Sequence, residues 1–565
     1  MKTKRLRNSL LLIVALGVPL MGGSYAGYRE YVSLRQAHLI KEARVFLDKS
    51  MPRKALLCLQ RTLQYDPADL EACRLMAELA ESLHAPGAIM WRRRVVELNP
   101  ASVSDRLVLA QIALSFRDYV TATNALAGVS TAGKKTAAYH DVAGTVAAAA
   151  SQFAQAEAHF LAAAKLDPQN PLLELNLAVV RLHITNAAVR AKARVTLKRL
   201  SSGWTNSPLR CGALRALTVD ALRRQQTAEA LVLSEILLRE AGSTFDDRLL
   251  RLQVLQASRS PWFAASLVAL QREAEYDSTN ATKVYTLGLW QMANDSPAGA
   301  LAWLRRLPPD TQTNQPVAKL IGKGYLAMQD WNGLQSFLDR QNWGELEFLR
   351  FAFLTRAFRE QSLDGAAKGE WELALKAAAG QKANLIILLR WATTWKWQTE
   401  SEDLLWTIVN QYPGEKWAFQ WLNQVLMVNG RTRPLMLLYS QELKRSPANL
   451  SIKNNLAMTA MLLDVQELNP YALAREVYEK SPTNSAYAST YAFSLHQQKK
   501  DREALKVLRQ LPPQDLDEPT VAGYYGLILR ATGDQTKARV YFRLASKALL
   551  LPEEKKLFTQ ARRGV

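Results

Sequence analysis

Residues 156–168 read AEAHFLAAAKLDP, and this stretch decides the fold. Ala156, Phe160 and Ala163 are spaced by four and then three residues, so all three lie on one face of a helix. Pro168 follows five residues later and stops the helix. The stretch therefore predicts a helix with a defined end and one closely packed face of small and aromatic side chains.

The same spacing recurs along nearly the whole chain. We call its first member the anchor residue, and most anchor residues are 33 to 35 residues apart, with exceptions of 39, 37 and 32. The anchor residues are Ala55, Ala88, Ala122, Ala156, Ala191, Ala230, Ala265, Ala300, Leu334, Ala367, Ser401, Leu435, Ala472, Ala504 and Ala538. A second helix with a small residue, as in Ala143-Gly144 or Tyr525-Gly526, precedes several of them. Small residues on both helices allow close approach, so each period predicts a helical hairpin.

A helical hairpin with this period resembles the tetratricopeptide repeat (TPR) family, whose unit has 34 residues. The resemblance covers roughly residues 36–550, and a solenoid of some other α-hairpin class is the alternative. It implies an all-α fold, in which about 15 TPR-like hairpins stack into an α-α superhelix (solenoid) after one N-terminal apolar helix. We expect an N-terminal array at 29–200, a middle degenerate array at 201–345 and a C-terminal array at 346–565.

The N-terminus predicts membrane attachment. Four basic residues within the first seven positions precede the uncharged run from Asn8 to Tyr28. About 20 such residues suffice to span a bilayer, so we expect residues 1–28 to be a signal anchor of a bacterial-type TPR protein. The repeats would then lie on the translocated, periplasmic side of the cell membrane. The small residues Ser24 and Ala26 also fit a cleaved signal peptide, which would release a secreted or periplasmic protein.

Composition and motifs argue against an enzyme. The 565 residues are 48% hydrophobic and 22% charged, as in a folded chain, and three cysteines cannot form a disulfide framework. No HExxH or CxxC motif occurs among the six scattered histidines and the cysteines. The string 128–135 resembles a phosphate-binding loop, but Lys135 stands where Ser or Thr is needed. We predict no catalytic residue, no metal and no cofactor.

Two pairs of side chains are close enough in sequence to meet. His140 and His159 fall within one hairpin, and we interpret them as surface or packing residues and not as a metal pair. Cys58 and Cys73 lie on successive helices, and we expect reduced thiols, with a disulfide as the alternative in an exported protein.

The chain carries 72 Lys and Arg against 51 Asp and Glu, which gives a net charge of +21. Clusters such as Arg92–Arg94 lie within helical patterns and form no continuous stripe, so we predict no nucleic-acid partner. A positive net charge of this size favours attraction to an anionic lipid or to an anionic polymer of the cell envelope.

Tryptophan marks the candidate binding region. Eleven of the 14 tryptophans lie between Trp290 and Trp421, and the i,i+4 spacing of Trp417 and Trp421 places both on one helix face. Packing between hairpins is the alternative role. The TPR resemblance further implies that Asn176 and Asn455, each before a Leu-Ala pair, face the concave groove and bind a peptide backbone.

These residues predict a non-catalytic, membrane-tethered scaffold or adaptor. Partner proteins or peptides would bind in the concave groove of the superhelix, which stacked repeats create. The alternative is an envelope-biogenesis factor that binds an anionic polymer or glycan through its basic and Trp-rich surface.

Overall fold

The computed structural model describes residues 30–49, 51–82, 87–203, 207–276, 281–339 and 341–563. Within these ranges the chain forms 33 helices and no strand, which confirms the all-α prediction. The apolar segment at 1–28 lies outside the described residues. In the described ranges, no helix combines the length and the hydrophobicity that crossing a membrane requires.

The described residues up to Asn294 form one compact unit, in which successive helices pair into hairpins. Odd-numbered helices are the first helix of each hairpin, and even-numbered helices are the second. The helices are α1 (30–48), α2 (Pro52–Tyr65), α3 (Leu70–Ser82), α4 (Gly87–Leu98), α5 (Val103–Ser115), α6 (Tyr119–Ala127), α7 (Ala137–Ala149), α8 (Phe153–Leu166), α9 (Pro171–Arg181), α10 (Ala187–Gly203), α11 (Ser207–Arg223), α12 (Thr227–Arg239), α13 (Phe245–Ala257), α14 (Phe263–Tyr276) and α15 (Ala281–Asn294).

The chain from Asp295 onwards forms a second compact unit of the same kind. Its first helices are α18 (Val317–Met328), α20 (Glu347–Glu360), α22 (Lys382–Thr394), α24 (Lys416–Val428), α26 (Leu450–Leu462), α28 (Ser485–Gln497) and α31 (Pro519–Ala531). Their second helices are α19 (Trp331–Leu338), α21 (Asp364–Ala378), α23 (Gln398–Gln411), α25 (Thr432–Arg445), α27 (Pro470–Lys480), α29 (Asp501–Leu508) and α32 (Gln535–Ala545). The remaining helices are α16 (Pro297–Leu304), α17 (Pro309–Thr313), α30 (Pro513–Leu516) and α33 (Pro552–Arg563).

Small residues hold the hairpins together, as the sequence predicts. Ala156 is fully buried, and a Cβ added at Gly144 would lie only 2.8 Å from the Phe160 ring. A Cβ at Gly526 would lie 3.2 Å from the carbonyl oxygen of Ala538. A side chain larger than glycine at either position would therefore have to displace the aromatic ring or the helix that packs there.

Three predicted anchor residues are wrong, because Ala191, Ala265 and Ala472 are exposed. In α10 the buried face is displaced by two residues, and in α27 the anchor residue is Pro470. The buried side chains of the three helices are Ala193, Leu197 and Leu200 in α10, Leu270 and Ala274 in α14, and Pro470, Ala474 and Val477 in α27. Loop insertions before α10 and α27 change the phase of the repeat, and several alanines on one helix make the phase ambiguous in sequence.

Within each unit, successive first helices contact one another. α5 contacts α7, α9 contacts α11, and α28 contacts both α26 and α31. Successive second helices of the described hairpins make no contact of comparable extent. Within each unit, the first helices are therefore packed more closely against one another than the second helices are.

Candidate partner-binding site

Trp421 of α24 lines a cavity of about 450 Å³ between α24 and the preceding hairpin of α22 and α23. The apolar part of the lining includes Trp397, Leu405 and Val428. Trp397 and Leu405 are buried, whereas Val428 is 60% exposed. The cavity therefore has an apolar floor and opens to solvent near the end of α24.

Polar side chains form the rim of this cavity. Lys396 takes a left-handed conformation with φ of 60°, and this sharp turn between α22 and α23 positions Trp397. The Ser401 hydroxyl donates to the carbonyl of Trp397 at 2.7 Å, and Glu402 is paired with Arg431 at 3.3 Å. An apolar floor within a polar rim is the usual form of a site that binds one large apolar side chain of a partner.

Trp417 extends the aromatic surface along α24. Its ring centroid lies 6.3 Å from that of Trp421, and both side chains are partly exposed. The indole N–H of Trp417 donates to Glu415 at 2.6 Å. Glu415 also accepts from Lys382, and these two hydrogen bonds lower the pKa of the Glu415 carboxyl. The predicted shared face of the two tryptophans is therefore present, and packing does not bury it completely.

Asn455 belongs to a different contact, made through Tyr439 of α25. The Tyr439 hydroxyl donates to Oδ1 of Asn423 at 2.5 Å and is hydrogen-bonded to Asn455 of α26. Burial raises the pKa of Tyr439 to about 12, and the bond to Asn455 acts against that shift. Among the described residues, no hydrogen bond joins Asn455 to Trp417 or Trp421, and its link to α24 runs through Tyr439 to Asn423.

Asn176 lies on α9, in the unit that ends at Asn294. Its side-chain Nδ2 donates to Oδ1 of Asp141 on α7 at 2.9 Å. The bond joins two successive first helices and uses one of the two N–H groups of the Asn176 amide.

Sequence reasoning missed the cations beside the tryptophan-rich stretch. The Lys323 ammonium lies 5.9 Å from the Trp391 ring, and the Arg356 guanidinium lies 5.9 Å from the Trp395 ring. Lys319 precedes Lys323 by one helical turn on α18. We call these five residues the Lys–Trp face. The sequence signal was the pair of lysines four residues apart in an otherwise apolar helix.

The histidine pair and the cysteine pair both belong to the unit that ends at Asn294. Nδ1 of His140 lies 3.0 Å from Nδ1 of His159, so the two rings meet as expected, and burial together with the His140 charge lowers the pKa of His159. Among the described residues, no group of three or more His, Cys, Asp or Glu side chains is placed to hold a metal ion. Cys58 and Cys73 are free thiols, and burial raises the pKa of both.

No family model matches the sequence, and no curated protein matches it either. Among solved structures, the chain is similar to PilF of Pseudomonas aeruginosa at 15% identity and a TM-score of 0.30, over 40% of this chain and 99% of that one. It is similar to a chain of the APC/C hetero-tetramer Cut9–Hcn1 at 12% identity and a TM-score of 0.27, over 82% and 97%. It is similar to PilW, described as a widely conserved type IV pilus biogenesis factor, at 14% identity and a TM-score of 0.26, over 45% and 97%.

Proposed function

We propose that this TPR-like repeat protein is a non-catalytic scaffold that binds a segment of a partner protein and is tethered to the membrane by residues 1–28. The observation that supports the scaffold is the cavity between Trp397 and Trp421, which combines an apolar floor, a polar rim and access from solvent. The tether is supported by the uncharged run from Asn8 to Tyr28, which is long enough to span a bilayer.

The cavity suits one anchoring side chain of the partner. Complete burial of a Leu, Phe or Met side chain contributes about 1.5–3 kcal/mol, and aromatic side chains at the centre of an interface dominate the energy of binding. Trp421 supplies such a surface, and Trp417 extends it by one helical turn. We therefore expect the partner to present a hydrophobic residue to Trp421 and its backbone to the polar rim.

A peptide-display selection on the immobilised full chain tests this proposal. We expect the selected peptides to share a large apolar residue, and Trp421→Ala to weaken their binding at least ten-fold in fluorescence anisotropy. Trp262→Ala is the matched control, because this tryptophan is 70% exposed and belongs to the other unit. Equal effects of the two substitutions, or a Trp421→Ala chain that unfolds at lower denaturant, would rule out this cavity as the site.

A further inference from the structure

The Lys–Trp face carries two positive charges that the described part of the chain does not neutralise. Lys319 and Lys323 are half-buried on α18. Burial lowers the pKa of both lysines, and for Lys319 the charge of Lys323 adds to the effect. Neither ammonium has a carboxylate or a hydrogen-bond partner among the described residues. Partial removal of two like charges from water costs stability unless an anion compensates them.

Arg356, which belongs to the same face, and Lys382 differ from the two lysines, because each is paired with a carboxylate. Arg356 on α20 is paired with Glu360 at 2.8 Å. Lys382 on α22 is paired with Glu415 at 2.6 Å. Within the Lys–Trp face, the charge that no carboxylate compensates therefore lies on the two lysines of α18.

An apolar surface adjoins this pair. Trp391 lies beside the Lys323 ammonium, and its ring centroid is 5.0 Å from that of Trp395. Both tryptophans remain partly exposed. A ligand at this place thus meets two ammonium groups and, beside them, an aromatic surface.

We propose that the Lys–Trp face binds an extended acidic segment of a partner protein, in which two carboxylate side chains are separated by one residue and an apolar residue follows. Lys319 and Lys323 are about 6 Å apart along the helix axis. Side chains two residues apart on one side of an extended chain are about 6.5 Å apart, so each carboxylate meets one ammonium. The apolar residue then lies on Trp391. This inference rests on the proposed scaffold function and names the chemistry of the partner.

The charge count favours a short peptide over a polymeric anion. A polymer gains affinity from many unpaired cations along its length, whereas this face offers two such cations beside an aromatic surface. Lysine presents a compact point charge on a flexible stem, which suits a carboxylate that approaches from solvent.

The test uses the full chain in detergent and a fluorescein-labelled peptide GESELLG with blocked termini. Lys319→Met combined with Lys323→Met is expected to weaken binding at least ten-fold in fluorescence anisotropy. A GQSQLLG peptide should bind the unmodified chain equally weakly. The control combines Lys555→Met and Lys556→Met, which removes the same charge from two exposed lysines of α33, and should change the affinity less than two-fold.

A stability measurement separates binding from a structural role. Methionine keeps the length and the apolar stem of lysine but removes the desolvated ammonium, so the Lys319→Met, Lys323→Met chain should have an unchanged or higher unfolding midpoint while it loses the peptide. A lower midpoint would mean that the lysines stabilise the fold, and the proposal would be abandoned.

Three further outcomes contradict the proposal and are distinguishable. If both double variants weaken the peptide equally, the net charge of the chain attracts it and the face has no special role. If polyphosphate binding depends on the two lysines but GESELLG does not bind, the ligand is an anionic polymer. In the third outcome, peptides from the display selection still require Trp421, but the affinity for GESELLG does not depend on the two lysines. The scaffold function then stands and the acidic site does not.

Discussion

At the scale of single residues, close packing at the anchor residues should govern stability. Ala156 is fully buried, and its hairpin brings the Phe160 ring against Gly144. Ala156→Leu forces α7 and α8 apart, and we expect a loss of about 1–3 kcal/mol in the free energy of unfolding, measured by urea denaturation. Ala158→Leu on the exposed side of α8 is the control and should change little. Hydrogen exchange should rise most in adjacent hairpins, and a uniform rise along the chain would contradict the repeat-by-repeat coupling.

Two buried polar residues have hydrogen-bond partners that the sequence alone does not identify. Arg92 and Ser234 occupy repeat positions where TPR units prefer a large apolar side chain, and both are buried. Arg92 donates to Glu81 of the preceding helix. The Ser234 hydroxyl donates to the Ala230 carbonyl at 2.7 Å and accepts from Arg251 at 2.9 Å. The spacing identifies these positions as buried, but the partners that satisfy them lie on other helices and depend on how the helices stack.

At the scale of helices, the sequence predicted shared faces but not which faces meet. The i,i+4 spacing of Trp417 and Trp421 correctly places both rings on one side of α24. Asn455 of α26 is hydrogen-bonded to Tyr439 of α25, a contact that the sequence period does not identify. The same Tyr439 hydroxyl donates to Asn423, which lies two residues after Trp421 on α24. Each first helix packs against a hairpin on either side, and a sequence period alone does not say which side a given residue takes.

The last helix makes a contact that no repeat period predicts. Pro552 at the start of α33 packs beside Gly430, whose φ is 63°, and the Thr432 hydroxyl donates to Glu553, 121 residues later in the chain. Phe558 packs against Tyr524 of α31 at 5.1 Å between ring centroids. α33 therefore covers the last hairpin and also contacts the turn between α24 and α25.

Gly430→Ala tests this contact of α33. The added Cβ meets the Pro552 ring at 2.9 Å, and the left-handed backbone costs a further 1–2 kcal/mol or so for a residue other than glycine. Gly380→Ala is the matched control, because Gly380 has a φ of 76° but no heavy atom within 4 Å of the added Cβ. We expect faster hydrogen exchange at residues 551–558 with Gly430→Ala only. Equal exchange in both variants would mean that α33 does not dock on this turn.

At the scale of the whole molecule, the hydrophobic core consists of separate clusters that follow one another along the chain. In the first unit the described buried residues form several separate clusters, such as those around Leu59, Leu109, Phe160 and Leu197. A repeat protein has this form because each hairpin buries its apolar surface against its neighbours only. A change at one end of the chain should therefore leave distant hairpins intact.

Deleting residues 1–28 should consequently separate membrane attachment from folding. The hairpins begin after this segment, so we expect the shortened chain to keep the helical circular-dichroism spectrum of the full chain while it no longer sediments with membranes. Leu12→Asp with Leu16→Asp in the full chain is the companion variant, since each charge at the centre of a bilayer span costs about 2.5–3.5 kcal/mol. It should also lose membrane association without losing helicity. In intact spheroplasts, protease should digest the repeats of the unmodified protein if they lie on the periplasmic side. Continued sedimentation of the shortened chain with membranes would show that another part of the protein holds it there, and the tether would be wrong.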